Sequence, residues 1–227
     1  MPARPLAGVL FDLDGTLLDT APDLIAALDH ALQAAGRPPA DPAAARSHVS
    51  HGAAALIEHG FGIPREAPEF ERHRQRLLAH YRDNLANRTR LFPGMGDLLE
   101  WLQNQGLPWG IVTNKPARFT EPLLEALGLA DRASAVISGD SVSEKKPHPA
   151  PLLAACQAMD ADPRACVYVG DARRDIEAGR RAGMRTAVAL FGYLDADERP
   201  ESWGADHLAS TPGELARWIE RLSYPID

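Results

Sequence analysis

Lysine is nearly missing from this 227-residue chain: Lys115, Lys145 and Lys146 are the only three among 24 basic residues, and arginine supplies the rest. Cysteine occurs twice, at Cys156 and Cys166, inside apolar segments and without a C-x-x-C or Cys/His ligand spacing. That pattern argues against a zinc site or a disulfide framework and predicts two reduced core thiols. No stretch approaches the ~20 apolar residues of a membrane span. The short run Leu6–Phe11 has neither a long apolar region nor a small-residue cleavage site, which predicts an unexported, cytoplasmic protein with no membrane partner. A formal charge of −7 disfavours binding to nucleic-acid backbones, which clustered Lys and Arg drive. What remains is an ordinary globular composition, 45% hydrophobic and 24% charged, long enough to bury a core. Its scarce lysines either survive a compositional bias toward arginine or stand where a compact ammonium is required, because arginine's planar fork is no substitute.

Short apolar runs alternate with helical patterns, the signature of a parallel α/β sheet. Strands are predicted at Leu6–Phe11, Trp109–Val112, Ala135–Ile137, Cys166–Val169 and Thr186–Leu190. Four of them run into Asp12, Thr113, Ser138 with Gly139-Asp140, and Gly170-Asp171. Ligands of open parallel sheets bind beyond the carboxyl ends of strands, so these residues should meet in one crevice. Between Leu17 and Arg88 the alternation stops. Helices are predicted at Pro22–Ala35, Pro42–His48, Ala53–His59 and Glu69–Asn87, with Thr20 as an N-cap ahead of Pro22. The stretch is too long for a crossover and reads as an inserted all-helical cap, residues 17–90, with hinges at Leu17–Thr20 and Thr89–Pro93. The α/β core is then 1–16 with 91–227.

The strongest chemical signal is Asp12-Leu13-Asp14-Gly15-Thr16 at the end of the first strand. Residues i and i+2 of a strand face the same way, so Asp12 and Asp14 can address one ligand while Gly15 permits a sharp turn. Paired carboxylates at one strand end imply a hard cation. A calcium loop is excluded because Gly15 comes too early for an EF-hand. Two aspartates merely capping a turn is the bland alternative, and the downstream motifs weigh against it.

Asp12-x-Asp14-Gly15-Thr16, Val112-Thr113-Asn114, Lys146-Pro147 and Gly170-Asp171-x3-Asp175 resemble, in order, the four motifs of the haloacid dehalogenase superfamily. The resemblance covers essentially the whole chain. Leu18-Asp19-Thr20-Ala21-Pro22-Asp23-Leu24 is similar to its phosphoglycolate phosphatase group. It implies a Rossmann-like core with a helical cap and a Mg2+-dependent phosphatase acting on a small phosphomonoester through an aspartyl-phosphate. Asp12 would be the nucleophile and Asp14 the general acid and base. Mg2+ would be held by Asp12, the carbonyl of Asp14 and Asp171, with Asp175 holding a metal-bound water or simply favouring the first turn of its helix. Thr113 and the Asn114 amide would bind phosphoryl oxygens, and Lys146 would neutralise the charge shared with the nucleophile. Lys145 reads as a rim charge. Lys115 either adds to the phosphate field or is a solvated loop lysine.

Six of eight histidines fall in the helical stretch, and their spacings match no metal motif. His73 and His80, seven apart, suggest an exposed polar face. His51, before Gly52-Ala53-Ala54, is the candidate substrate contact. Asp14 disfavours a dehalogenase and a lysine-free cap disfavours a phosphonatase. A β-phosphoglucomutase-type sugar phosphomutase carries histidine where Leu24 stands. A non-catalytic phospho-accepting regulatory module leaves the helical insertion unexplained. The segments Trp109–Phe119, Phe191–Leu194 and Trp203–Asp206 look closer to the N-acetylmuramic acid 6-phosphate phosphatases than to general phosphoglycolate phosphatases, although core packing is the commoner fate of such aromatics. Oligomeric state is not encoded in any motif.

Overall fold

A computed structural model describes residues 5–223. The chain divides into two compact units, Met1–Leu18 with Leu91–Asp227, and Asp19–Arg90. The first is α/β. Its strands are β1 (Gly8–Phe11), the N-terminal half of the two-residue β2 (Leu18–Asp19), the second residue of β3 (Arg90–Leu91), β4 (Trp109–Val112), β5 (Ala135–Ile137), β6 (Cys166–Gly170), β7 (Arg185–Ala189) and β8 (His207–Ala209). The helical unit carries α1 (Ala21–Gln33), α2 (Pro42–His48), α3 (Gly52–Phe61) and α4 (Phe70–Asp83), and the α/β unit continues with α5 (Met95–Asn104), α6 (Ala117–Ala126), α7 (Ala150–Ala158), α8 (Arg173–Arg181) and α9 (Pro212–Ser223).

Six strands form one sheet in the order β5-β4-β1-β6-β7-β8, with every neighbouring pair parallel. β1 is central because its residues are apolar on both faces: Val9, Leu10 and Phe11 are fully buried. The chain steps from β1 outward through β4 to β5, then returns to β6 on the other side of β1. This reversal of direction opens a crevice at the carboxyl ends of β1, β4 and β6. Cys156 and Cys166 are free thiols buried in one apolar cluster with Leu10, Val112, Leu152 and Tyr168.

The five predicted strands all form, β4 and β5 with the predicted bounds and the other three with ends displaced by one or two residues. The first starts at Gly8 instead of Leu6, and the last runs Arg185–Ala189 instead of Thr186–Leu190. The edge strand β8 was not predicted, since His207-Leu208-Ala209 is too short to show a period. Nor was β2, which pairs with β3 as a separate two-stranded sheet.

In the helical unit, apolar residues at helical spacing make the core: Leu24, Leu28, Ala31 and Leu32 of α1, Leu56, Ile57 and Phe61 of α3, and Leu77 and Tyr81 of α4. Thr20 is the N-cap of α1, but its side chain makes no capping bond. Buried Asp23 instead accepts from the Arg88 amide, the Thr89 amide (2.8 Å) and Thr89 Oγ1 (2.7 Å), joining the entry and exit of this unit. α4 stops at Asp83, short of the predicted Asn87. Asn84 leaves helical geometry and its Nδ2 donates to the His80 carbonyl at 2.9 Å, satisfying a group the helix end would orphan. His73 is not on an exposed face. It is buried and stacked on Phe61, with ring centroids 4.0 Å apart, because the α3–α4 interface takes its ring as an apolar surface.

Candidate active site

β1 delivers Asp12 to the crevice, where its amide donates to Val169 O at 2.8 Å and its Oδ1 accepts the Leu13 amide at 2.7 Å. The same Oδ1 lies 2.8 Å from Lys146 Nζ. Asp171, just past the end of β6, and Asp175, at the third position of α8, complete a set of three buried carboxylates whose nearest oxygens all lie within 4.8 Å of one another. Asp175 reaches back with Oδ2 to the Ala172 amide (3.0 Å), as a third-position acid does at a helix start, and sets Oδ1 2.8 Å from Lys146 Nζ.

Close approach by glycine builds the Asp171 site. Gly15 has φ +84, and a Cβ there would collide with Asp171 Oδ2; one at Gly192 would collide with Asp171 Cβ. Asp171 Oδ2 accepts the Tyr193 amide at 2.9 Å, and Oδ1 is 3.4 Å from Thr16 Oγ1. Burial, reinforced by the charges of Asp12 and Asp175, pushes the Asp171 carboxyl up to about 7. Burial also raises Asp12 against the pull of Lys146. Three buried carboxylates in one cluster, with Asp12 and Asp171 pushed toward protonation, are the donor set a hard divalent cation satisfies.

Lys146 is 3% exposed. Asn114 fixes its backbone from both sides: Oδ1 accepts the Lys146 amide and Nδ2 donates to the Lys146 carbonyl, each at 3.1 Å. Thr113 is buried at the end of β4, its amide donating to Ile137 O and its Oγ1 accepting the Lys115 amide at 3.2 Å. Lys115 is not a solvated loop lysine. Its side chain is 8% exposed and pairs with Asp14 Oδ1 at 2.7 Å. Lys145 is exposed. Of the sequence-derived candidates, Asp12, Asp14, Thr113, Asn114, Lys146, Asp171 and Asp175 all lie at or just beyond the carboxyl ends of β1, β4 and β6 or in the loop after β5. His51 lies in the helical unit, exposed, at the N-cap of α3.

Sequence reasoning missed Tyr168, Arg174 and the side-chain role of Asn114. Tyr168 was legible only as the one polar-tipped residue in the apolar run Cys166–Val169. Its hydroxyl lies 2.7 Å from Lys146 Nζ, and burial, with the charges of Asp175 and Asp12, keeps the phenol protonated well above its usual range. Burial lowers Arg174, but the summed charges of Asp175, Asp12 and Asp171 outweigh it and hold the guanidinium above its ordinary value.

Residues 9–189 match the haloacid dehalogenase-like hydrolase family. An N-acetylmuramic acid 6-phosphate phosphatase of Pseudomonas aeruginosa is 44% identical over 216 residues, 95% of this chain and 96% of that one. A phosphoglycolate phosphatase of Xanthomonas campestris is 43% identical, covering 91% and 93%. The crystal structure of a predicted phosphoglycolate phosphatase from Haemophilus somnus superposes with a TM-score of 0.82 at 29% identity over 94% of this chain and 97% of that one. The chain belongs to the haloacid dehalogenase-like hydrolase family. Within it the chain is an enzyme of the phosphoric monoester hydrolase class, a phosphatase, with the parallel Rossmann-like sheet that the resemblance implied. Among the described residues no helix is long and apolar enough to cross a membrane.

Proposed function

We propose that the chain is a Mg2+-dependent phosphatase that works through an aspartyl-phosphate on Asp12 and prefers N-acetylmuramic acid 6-phosphate to 2-phosphoglycolate. The observation that carries the mechanism is the position of Asp12: a carboxylate held at a strand end by the Leu13 amide and Lys146, beside Asp171 and Asp175. An Asp12 oxygen bonds to phosphorus as the bond from phosphorus to the ester oxygen breaks, and Asp14 gives the leaving alkoxide its proton. Asp14 then takes a proton from water, which cleaves the acyl phosphate and releases phosphate. Thr113 and the Asn114 amide orient phosphoryl oxygens. Asp12, the Asp14 carbonyl and Asp171 would hold Mg2+, with Asp175 engaged through water and through Lys146. The ion supplies the positive charge that lets an anionic nucleophile meet a phosphate dianion.

The helical unit is read as the cap that selects the ester, with His51 as a contact. Both phosphatase names occur among the relatives at 43–44% identity, and the preference between the two esters is supported by the aromatic segments at β4 and after β7. A two-carbon acid also offers a cap little to grip, whereas an amino-sugar acid presents an acetamide, hydroxyls and a lactyl carboxylate. Purified enzyme with Mg2+ should show the higher kcat/KM on N-acetylmuramic acid 6-phosphate, and Asp12→Asn should abolish turnover of both esters while unfolding normally. A tenfold preference for phosphoglycolate, about 1.4 kcal/mol of transition-state binding, overturns the substrate assignment. Normal turnover by Asp12→Asn overturns the mechanism.

A further inference from the structure

Lys146 Nζ has four oxygens at hydrogen-bond distance: Asp12 Oδ1 and Asp175 Oδ1 at 2.8 Å, Val112 O at 2.9 Å and Tyr168 Oη at 2.7 Å. An ammonium has three protons. The phenol can donate to Val112 O at 2.9 Å or to Asp175 Oδ1 at 3.4 Å, and the shorter contacts select one arrangement. Lys146 donates to Asp12, Asp175 and Tyr168, and the phenol passes its own proton to Val112 O, 2.9 Å away. Asp12, Lys146, Tyr168 and Asp175 are buried, and Val112 belongs to the buried strand β4. The ring that carries the phenol cannot drift, because it is fully buried among Leu10, Val112, Cys166 and Ala178.

We propose that Tyr168 is a positioning residue for the phosphatase reaction: by occupying Val112 O and accepting the third ammonium proton, it aims Lys146 at the nucleophile Asp12. The inference rests on the reading of Asp12 as nucleophile. Removing the phenol oxygen leaves the third proton to turn onto Val112 O, which tilts the ammonium away from the line to Asp12. The group therefore acts on the chemical step and not on capture of the ester, and it acts only through Lys146.

The scarcity of lysine makes this directly observable. Full-length protein labelled with 15N at lysine Nζ gives three ammonium signals, and Lys145→Arg and Lys115→Arg assign the third to Lys146. Tyr168→Phe should shift or broaden that signal and leave the Lys145 signal in place. On a generic aryl phosphate, Tyr168→Phe should lower kcat about tenfold and change KM less than twofold, with an unchanged unfolding midpoint. In a Lys146→Met background the same substitution should cost nothing further. An unmoved Lys146 signal overturns the proposal whether or not the enzyme turns over. So does a Tyr168→Phe loss confined to KM, or one that adds in full to Lys146→Met. Absence of wild-type turnover would instead sink the phosphatase mechanism and leave the ammonium signal to judge Tyr168.

Discussion

At the scale of single residues, the site sets two carboxylates under opposite constraints. Asp14 is tied to a cation, Lys115, and Asp171 is sealed among carboxylates. If Asp14 serves the leaving group, Asp14→Asn should slow alkyl phosphates about 100-fold or more, the size of a general-acid contribution, and aryl phosphates far less. Lys115→Met should show the same asymmetry at smaller amplitude, because it frees the carboxylate from its ion pair. Rates on the two ester classes decide this, and equal slowing of both removes Asp14 from the acid role. For Asp171 the consequence is in stability. Its folded pKa of about 7 lies above the unfolded value near 3.8, so the folded state holds a proton the unfolded state has released between those limits. Metal-free protein should therefore lose stability as pH rises through that window and level off above it. Stabilisation by Mg2+, which must displace this proton, should grow over the same range. Urea unfolding at pH 5.5 and pH 8, with and without Mg2+, measures it; equal Mg2+ stabilisation at both pH values contradicts the assignment.

At the scale of elements, legibility followed burial pattern. β1, β4 and β6 are short apolar runs that end abruptly in functional residues, and that ending is written in the sequence. The motif residues Asp12, Thr113 and Asp171 could be placed for the same reason, and Lys146 only through the lysine-proline motif of the resemblance. Tyr168 and Lys115 were not readable, since a tyrosine in a buried strand and a lysine in a loop take their meaning from partners 22 and 101 residues away. His73 misled because periodicity registers an imidazole as polar, whereas the α3–α4 interface uses its ring face. Asp23 shows the same limit: in the sequence it is an acid in a helix's first turn, and in the fold it clamps Arg88 and Thr89. Asp23→Ala should strand buried donors and cost about 3 kcal/mol, since each buried unsatisfied group costs about 1–3 kcal/mol. Hydrogen exchange should speed up in α1 and α4 and not in β1, β4 or β6; unchanged exchange in α1 refutes the clamp.

At the scale of the whole molecule, the chain leaves the α/β unit at Leu18 and re-enters it at Leu91, and the strands on either side of this seam are paired. If the helical unit selects the ester and the α/β unit holds the chemistry, replacing residues 20–89 by a short Gly-Ser linker should leave aryl phosphate hydrolysis measurable while erasing discrimination between N-acetylmuramic acid 6-phosphate and phosphoglycolate. Retained discrimination would place specificity in the α/β unit instead.

The paired seam also bears on how the chain assembles as it is made. β1 is synthesised before the helical unit, and its partner β4 follows only after all of it. A helical unit that closes first, its ends held by Asp23 and by the β2-β3 pair, shortens the effective loop between β1 and β4 roughly fourfold, worth about 1.2 kcal/mol of closure entropy. The insertion then works as a splint during biogenesis, presenting β4 to a waiting β1 instead of leaving two hydrophobic strands to find each other across a long open chain.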